Sequence, residues 1–146
     1  MSAGRNEGLI KNFKAGASTI TPYRFVKFGA DEDTVILGAA ATDNILGISY
    51  VPIGFDYPIV YGAAEPDLSI PTGRRLDVVM GLDFPIIYGG TVGLGAWLTC
   101  DANGAAVALG ATPAANTVVC GRALKAGASG SLGVIWFNPQ LLRTTA

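Results

Sequence analysis

Residues 96–107 read Ala96-Trp97-Leu98-Thr99-Cys100-Asp101-Ala102-Asn103-Gly104-Ala105-Ala106-Val107. Two short runs of β-branched, aromatic and small apolar residues flank a polar turn. Asn-Gly supplies the positive φ angles that tight hairpin turns require, so the stretch predicts a β-hairpin.

The same grammar extends in both directions. A helix needs apolar residues at i, i+3, i+4 and i+7 over about a dozen residues free of Gly and Pro. No window in the chain offers this. Short apolar runs broken by Gly, Pro, Asn and Asp predict strands instead, over 23–28, 34–37, 45–51, 59–61, 68–70, 76–82, 84–88, 96–100, 105–109, 117–124 and 132–137. In the first of these, Tyr23, Phe25 and Lys27 alternate with Arg24, Val26 and Phe28. Runs 59–61 and 68–70, hemmed by Pro58, Pro66 and Pro71, read as edge strands or loop arms. Thr42-Asp43-Asn44-Ile45 reads equally as one capped helical turn or a plain turn. Lys14-Ala15-Gly16-Ala17-Ser18 recurs as Lys125-Ala126-Gly127-Ala128-Ser129, which predicts two similar loops rather than a repeat architecture. The fold class is therefore all-β, a small antiparallel β-barrel or β-sandwich.

Three regions stand apart. Residues 1–13 begin polar and poor in strand formers and read as an N-terminal arm. Residues 14–140 form one β domain. Within it, 52–75 holds four of the eight prolines and the aromatics Phe55, Tyr57 and Tyr61, and reads as a long loop excursion. Residues 141–146 read as a C-terminal tail.

Composition removes many chemistries. The 146 residues include 20 Gly and no His, so His-based nucleophile pairs, zinc ligation and proton shuttles are excluded. A formal net charge of -1 offers neither a basic face for nucleic acid nor a polybasic membrane patch. No stretch approaches a membrane-spanning run, and the first residues lack a signal peptide's apolar core, so use without secretion and reduced thiols are expected. The chain is 50% apolar yet only 14% charged, which predicts that part of the surface is covered by another copy or a large partner.

The remaining candidates are thin. Asp31-Glu32-Asp33 reads as a solvated turn, and Asp77, following Arg74-Arg75, as half of a surface pair. A hydrolase or lyase using Asp77 or Asp83 is the weakest functional reading. The glycines between Gly89 and Gly95 lack the Lys-Ser/Thr ending and following helix of a phosphate loop, and read as turns. Cys120 reads as core. Cys100 lacks a cationic neighbour that would activate it, and a Cys100–Cys120 disulfide requires the two strands to meet. No catalytic residue, cofactor or metal site is expected.

The serial order of motifs resembles the small capsid decoration, or cement, proteins of tailed bacteriophages. The pieces are Phe13-Lys14-Ala15-Gly16-Ala17, Tyr23-Arg24-Phe25-Val26-Lys27-Phe28-Gly29, Ala41-Thr42-Asp43-Asn44-Ile45-Leu46-Gly47-Ile48-Ser49 and Arg75-Leu76-Asp77-Val78-Val79-Met80-Gly81. They continue with Tyr88-Gly89-Gly90-Thr91-Val92, the 96–107 hairpin, Gly121-Arg122-Ala123-Leu124 and Gly130-Ser131-Leu132-Gly133-Val134-Ile135. The stretch 52–71 departs from the pattern as an insertion.

The resemblance implies a virion structural protein, assembled in the bacterial host cytoplasm. It would bind the outer face of the expanded capsid, bridge major capsid proteins and hold the shell against DNA pressure. Its implied partners are the major capsid protein and itself, as trimers or sometimes dimers. On this reading Arg5, Leu9, Ile10, Lys11 and Phe13 of the arm contact the capsid, and Phe55, Tyr57 and Tyr61 lie at a subunit or capsid contact. Deleting 2–12 is expected to leave a folded barrel that no longer decorates. The alternative is a virion surface module recognising glycan or a host receptor through Tyr57, Tyr61 and Trp97.

Overall fold

A computed structural model describes residues 10–50, 69–81 and 83–142. These residues form ten strands: β1 (Ile10–Ala15), β2 (Phe25–Phe28), β3 (Thr34–Leu37), β4 (Gly47–Tyr50), β5 (Arg75–Val79), β6 (Asp83–Ile87), β7 (Trp97–Cys100), β8 (Ala106–Ala108), β9 (Thr117–Ala123) and β10 (Leu132–Leu142). The fold is all-β, as the periodicity predicts.

Strands β1 to β5 close a barrel in the order β1-β3-β2-β4-β5. Every pairing in it is antiparallel except β1 with β3, which is parallel. The other five strands form a second sheet in the order β6-β10-β9-β7-β8. This sheet curls until Tyr88, just past β6, makes a parallel bridge to Ala106 at the start of β8.

The start of strand β2 joins the two halves, because Phe25 and Val26, on its opposite faces, are both buried. Val26 points into the barrel core with Phe13, Val35, Leu76 and Val78. Phe25 points the other way, into a core shared with Ile86, Leu98, Ile135 and Phe137 of the second sheet. Its ring lies 6.2 Å from that of Phe137. Alternation places side chains correctly here, but burial on both faces removes the polar-out signature of a half-solvated strand.

The joint is also hydrogen-bonded. Phe25 N donates to Gly104 O at 2.7 Å, Ile87 N to Tyr23 O at 2.9 Å and Val118 N to Ala41 O at 2.7 Å. Tyr23 takes φ +62°, an uncommon value for a bulky residue. The fully buried Ser49 braces it: its hydroxyl donates to Thr21 O at 2.7 Å and accepts from Arg24 N at 3.1 Å.

Several expectations shift. The arm cannot run to residue 13, since residues 10–15 are β1, paired residue by residue with β5 from Ile10↔Val79 to Lys14↔Arg75. Residues 141 and 142 belong to β10 rather than a tail. Within the expected excursion, Ile70 bridges Ile20 through backbone hydrogen bonds in both directions and β5 starts at Arg75, so the described part of 52–75 is tied to the barrel. Residues 42–45 form no helix. Asp43 instead accepts backwards from Ala39 N and Ala40 N at 2.8 and 3.0 Å.

The 101–105 turn is longer than a two-residue hairpin. Asp101 Oδ1 accepts from Asn103 N and Ala105 N at 2.8 and 2.9 Å, and only Gly104 takes positive φ, at +76°. The carboxylate thus organises a five-residue connection that Asn-Gly alone would not require. The two Lys-Ala-Gly-Ala-Ser stretches are not equivalent. The first starts inside β1, whereas the second lies wholly beyond β9, where Gly127 bridges Val92.

Candidate interaction surface on the second sheet

Alternation in the second sheet sends Gly133, Ile135 and Phe137 of β10 inward and Leu132 and Trp136 outward. Cross-strand register then lines up one exposed row over four strands. Trp97 of β7 pairs with Arg122 of β9, Arg122 with Trp136 of β10, and Trp136 with Asp83 of β6. Directly paired residues share a face. The Arg122 guanidinium lies over the Trp97 ring, 4.9 Å from its centroid, and its Nε donates to Gly95 O at 3.4 Å.

Glycine 121 makes this row possible. A β-carbon there would meet the carbonyl oxygen of Trp136, so only Gly lets β10 lie this close to β9 at φ +155°. Past the row the register shifts between Phe137 and Gln140, at Asn138-Pro139. Proline has no amide hydrogen to give a ladder and fits this bulge.

The row borders an open groove of about 500 Å³ walled by Leu94, Trp97, Arg122, Leu124 and Trp136. On the other side of Trp97 lies a smaller hollow of about 210 Å³ between Leu109, Val119 and Leu141. Leu94 is 76% exposed, Trp97 51%, Trp136 53% and Leu124 46%. Isolated exposed apolar residues are ordinary, but a contiguous apolar face flanked by charge marks an interaction surface. Sequence reasoning raised Trp97 only as a loop aromatic and passed over Trp136, Leu94 and Arg122. The alternation of 132–137 carried a signal for Trp136, but its pairing with Arg122 depends on register.

The other anticipated residues fall elsewhere. Arg5, Leu9, Phe55, Tyr57 and Tyr61 lie outside the described residues. Ile10 and Lys11 are both exposed, at the start of β1, and Lys11 Nζ sits 5.1 Å from the Phe13 ring centroid. Phe13 itself is 1% exposed and packs edge-on against Phe28 at 5.9 Å, so it is a core residue and no capsid anchor. Its position in β1 puts it on the barrel's inner face, which a reading of 1–13 as an arm could not register.

Among the described residues, the acidic side chains do not form a site. Asp77 is 7% exposed and accepts from Asn12 Nδ2 at 3.2 Å, rather than pairing with Arg74 or Arg75 at the surface. Arg75 forks onto Asp33 across the β1–β3–β5 edge, at 2.8 and 3.1 Å. That contact holds the Asp33 carboxyl below the usual carboxylate range. Asp83 lies on the other sheet. Among the described residues, no three of His, Cys, Asp and Glu come together to hold a metal.

Cys100 and Cys120 are both buried and unpaired. Burial, with Asp101 adding to it, pushes the Cys100 thiol up to about 12. Burial raises Cys120 further. Neither is an activated nucleophile, because only the thiolate attacks.

The chain is similar to the crystal structure of the N base of head fiber gp8.5 of bacteriophage phi29, with a TM-score of 0.56 and 22% identity over 89% of this chain and 93% of that one. At that identity the likeness is one of fold. No protein-family model matches the sequence. No curated protein matches it either.

Proposed function

We propose that this protein is a structural component of a phage head surface, docked on the outer face of the expanded capsid. There it would bridge major capsid proteins and stiffen the shell. The observation that carries this is the fold shared along nearly the whole chain with the base of a phage head fiber. The serial motif order resembling decoration proteins supports it, as does the exposed apolar face of the second sheet. Work done by contact rather than chemistry accords with buried, unactivated thiols and dispersed carboxylates. Many copies on one shell add modest contacts into a large resistance to rupture.

The glycan-recognition reading has less behind it. Of its three residues, Tyr57 and Tyr61 lie outside the described residues, and one face of Trp97 is occupied by Arg122.

Co-sedimentation of the purified chain with expanded and with immature capsids of its phage tests the proposal. Saturable binding to expanded shells alone is the expected result; absence of binding to either would overturn it. A truncation that asks whether the N-terminal residues dock must stop short of Ile10, because deleting 2–12 would strip β1 of three of its five pairings with β5.

A further inference from the structure

Asn103 precedes Gly104, and no other asparagine in the chain precedes a glycine. We infer that this pair is a site of spontaneous covalent change, the conversion of Asn103 to aspartate and isoaspartate through a succinimide. The Arg24 guanidinium activates it, and its product loosens the joint between the barrel and the second sheet.

The reaction starts when the Gly104 amide loses its proton to hydroxide. The nitrogen attacks Asn103 Cγ, a new N–C bond closes the ring, and the Cγ–Nδ2 bond breaks as ammonia leaves. Water then opens the succinimide at either carbonyl. Opening at Cγ restores the ordinary peptide and leaves an aspartate side chain. Opening at the main-chain carbonyl routes the backbone through the side chain, as isoaspartate. The net change is hydrolysis of an amide, with no oxidant or reductant.

Asn103 is exposed, and its side-chain amide makes no hydrogen bond among the described residues, so Cγ is free to turn toward Gly104. Gly104 carries no β-carbon to shield its nitrogen, which is tied only by a long 3.4 Å bond to Asp101 O. Arg24 Nη1 donates at 3.0 Å to Asn103 O, the carbonyl of the same peptide whose N–H must ionise. Ionisation spreads negative charge onto that oxygen, and a cation bonded to it favours the charged form. Arg24 has no ion-pair partner among the described residues to offset its charge. Asp101 opposes the step, because its carboxylate repels an anion and pins the amides of Asn103 and Ala105. Gly104 is buried, so hydroxide reaches it through openings of the turn, and the folded chain reacts more slowly than the unfolded one. The other described asparagines are better protected. Asn12 is bonded to Asp77 and precedes Phe13, Asn44 and Asn116 precede the β-branched Ile45 and Thr117, and Asn138 precedes Pro139, which has no N–H.

The product falls at a tight place. Gly104 O accepts from Phe25 N at 2.7 Å, and a β-carbon on Gly104 would already stand 3.1 Å from Phe25 O. Isoaspartate inserts a methylene into the main chain just before this anchor, so the Asp101 brace and the Phe25 bond cannot both be kept. The inference does not involve capsid binding, and its failure would leave the proposed function standing.

Incubation of the full chain at pH 8 and 37 °C, followed over weeks by peptide mass spectrometry with isoaspartate resolved by chromatography, tests it. Conversion at Asn103 ahead of every other asparagine, quickening in proportion to hydroxide, is the expected result. Arg24→Gln should slow conversion by about tenfold, and Arg24→Lys should restore most of the rate. If Arg24 merely braced the turn, its loss would speed the reaction, so an unchanged or faster rate in Arg24→Gln would overturn the inference. So would an Asn103 that stays intact through the incubation, or an isoaspartate fraction with the urea midpoint and the 21–25 amide exchange of fresh protein.

Discussion

The ring of Tyr88 occupies the space that a side chain at position 133 would need. A β-carbon on Gly133, near the start of β10, would collide with the distal ring atoms and hydroxyl of Tyr88. Tyr88 is fully buried, and its hydroxyl donates to Lys125 O at 2.5 Å. One missing side chain thus admits the aromatic that plugs the curled second sheet and brings its last turn back over β10.

Gly133→Ala should therefore destabilise the fold by about 3 kcal/mol or more, since the ring has no empty space to enter. Tyr88→Phe keeps the packing and strands the Lys125 carbonyl, at a cost of about 1–2 kcal/mol. Urea denaturation of both variants checks the order. Equal, small losses would show that the plug is not rigid.

Ser49 should be the costliest small polar side chain to remove. Ser49→Ala leaves Arg24 N and Thr21 O without their partner at the joint that holds Tyr23 at positive φ. A loss of about 2 kcal/mol is expected. Hydrogen exchange of the amides around 21–25 should quicken in the variant.

Acid should loosen the 38–46 loop before the barrel. Burial works against the Asp43 charge, but Lys27 at 2.8 Å and the amides of Ala39 and Ala40 outweigh it and hold the carboxyl below its ordinary value. A carboxyl lowered in the folded state binds fewer protons there than in the unfolded chain, so stability rises with pH across that range. The contribution is complete above the unfolded value of about 3.9 and is lost as pH falls through the lower folded value. Asp43→Asn should cost about 1–2 kcal/mol at neutral pH and flatten the acid limb of the stability profile.

Both thiols should be silent toward a disulfide reagent at pH 8 in the native protein and react fully in denaturant. Their burial and raised pKa values leave almost no accessible thiolate. Rapid native labelling of either would contradict the core position assigned to it.

Much of the fold was legible because local chemistry and tertiary structure agree. The runs 34–37, 84–88, 117–124 and 132–137 map onto β3, β6, β9 and β10, shifted at their ends or, for β10, extended. Alternation is a local property of the backbone, as is the helix-breaking effect of closely spaced Gly and Pro. The turn at 101–105 was legible as a turn, though its length was set by the Asp101 carboxylate. Phe13 was misjudged because residues 10–13 gain their strand identity from pairing with β5, which lies more than sixty residues on.

The sequence by itself determined an all-β chain with no histidine chemistry, little charge and a surplus of apolar surface. Tertiary structure alone decided where that surplus goes. Phe25 and Val26 differ by one position, yet each enters a separate core, because the start of β2 is covered on both faces. Trp97, Arg122, Trp136 and Asp83 are scattered over more than fifty residues and become one row only through cross-strand register. Alternation fixes on which side of a strand a residue lies. Which residues stand beside it depends on long-range pairing, and no local pattern encodes that.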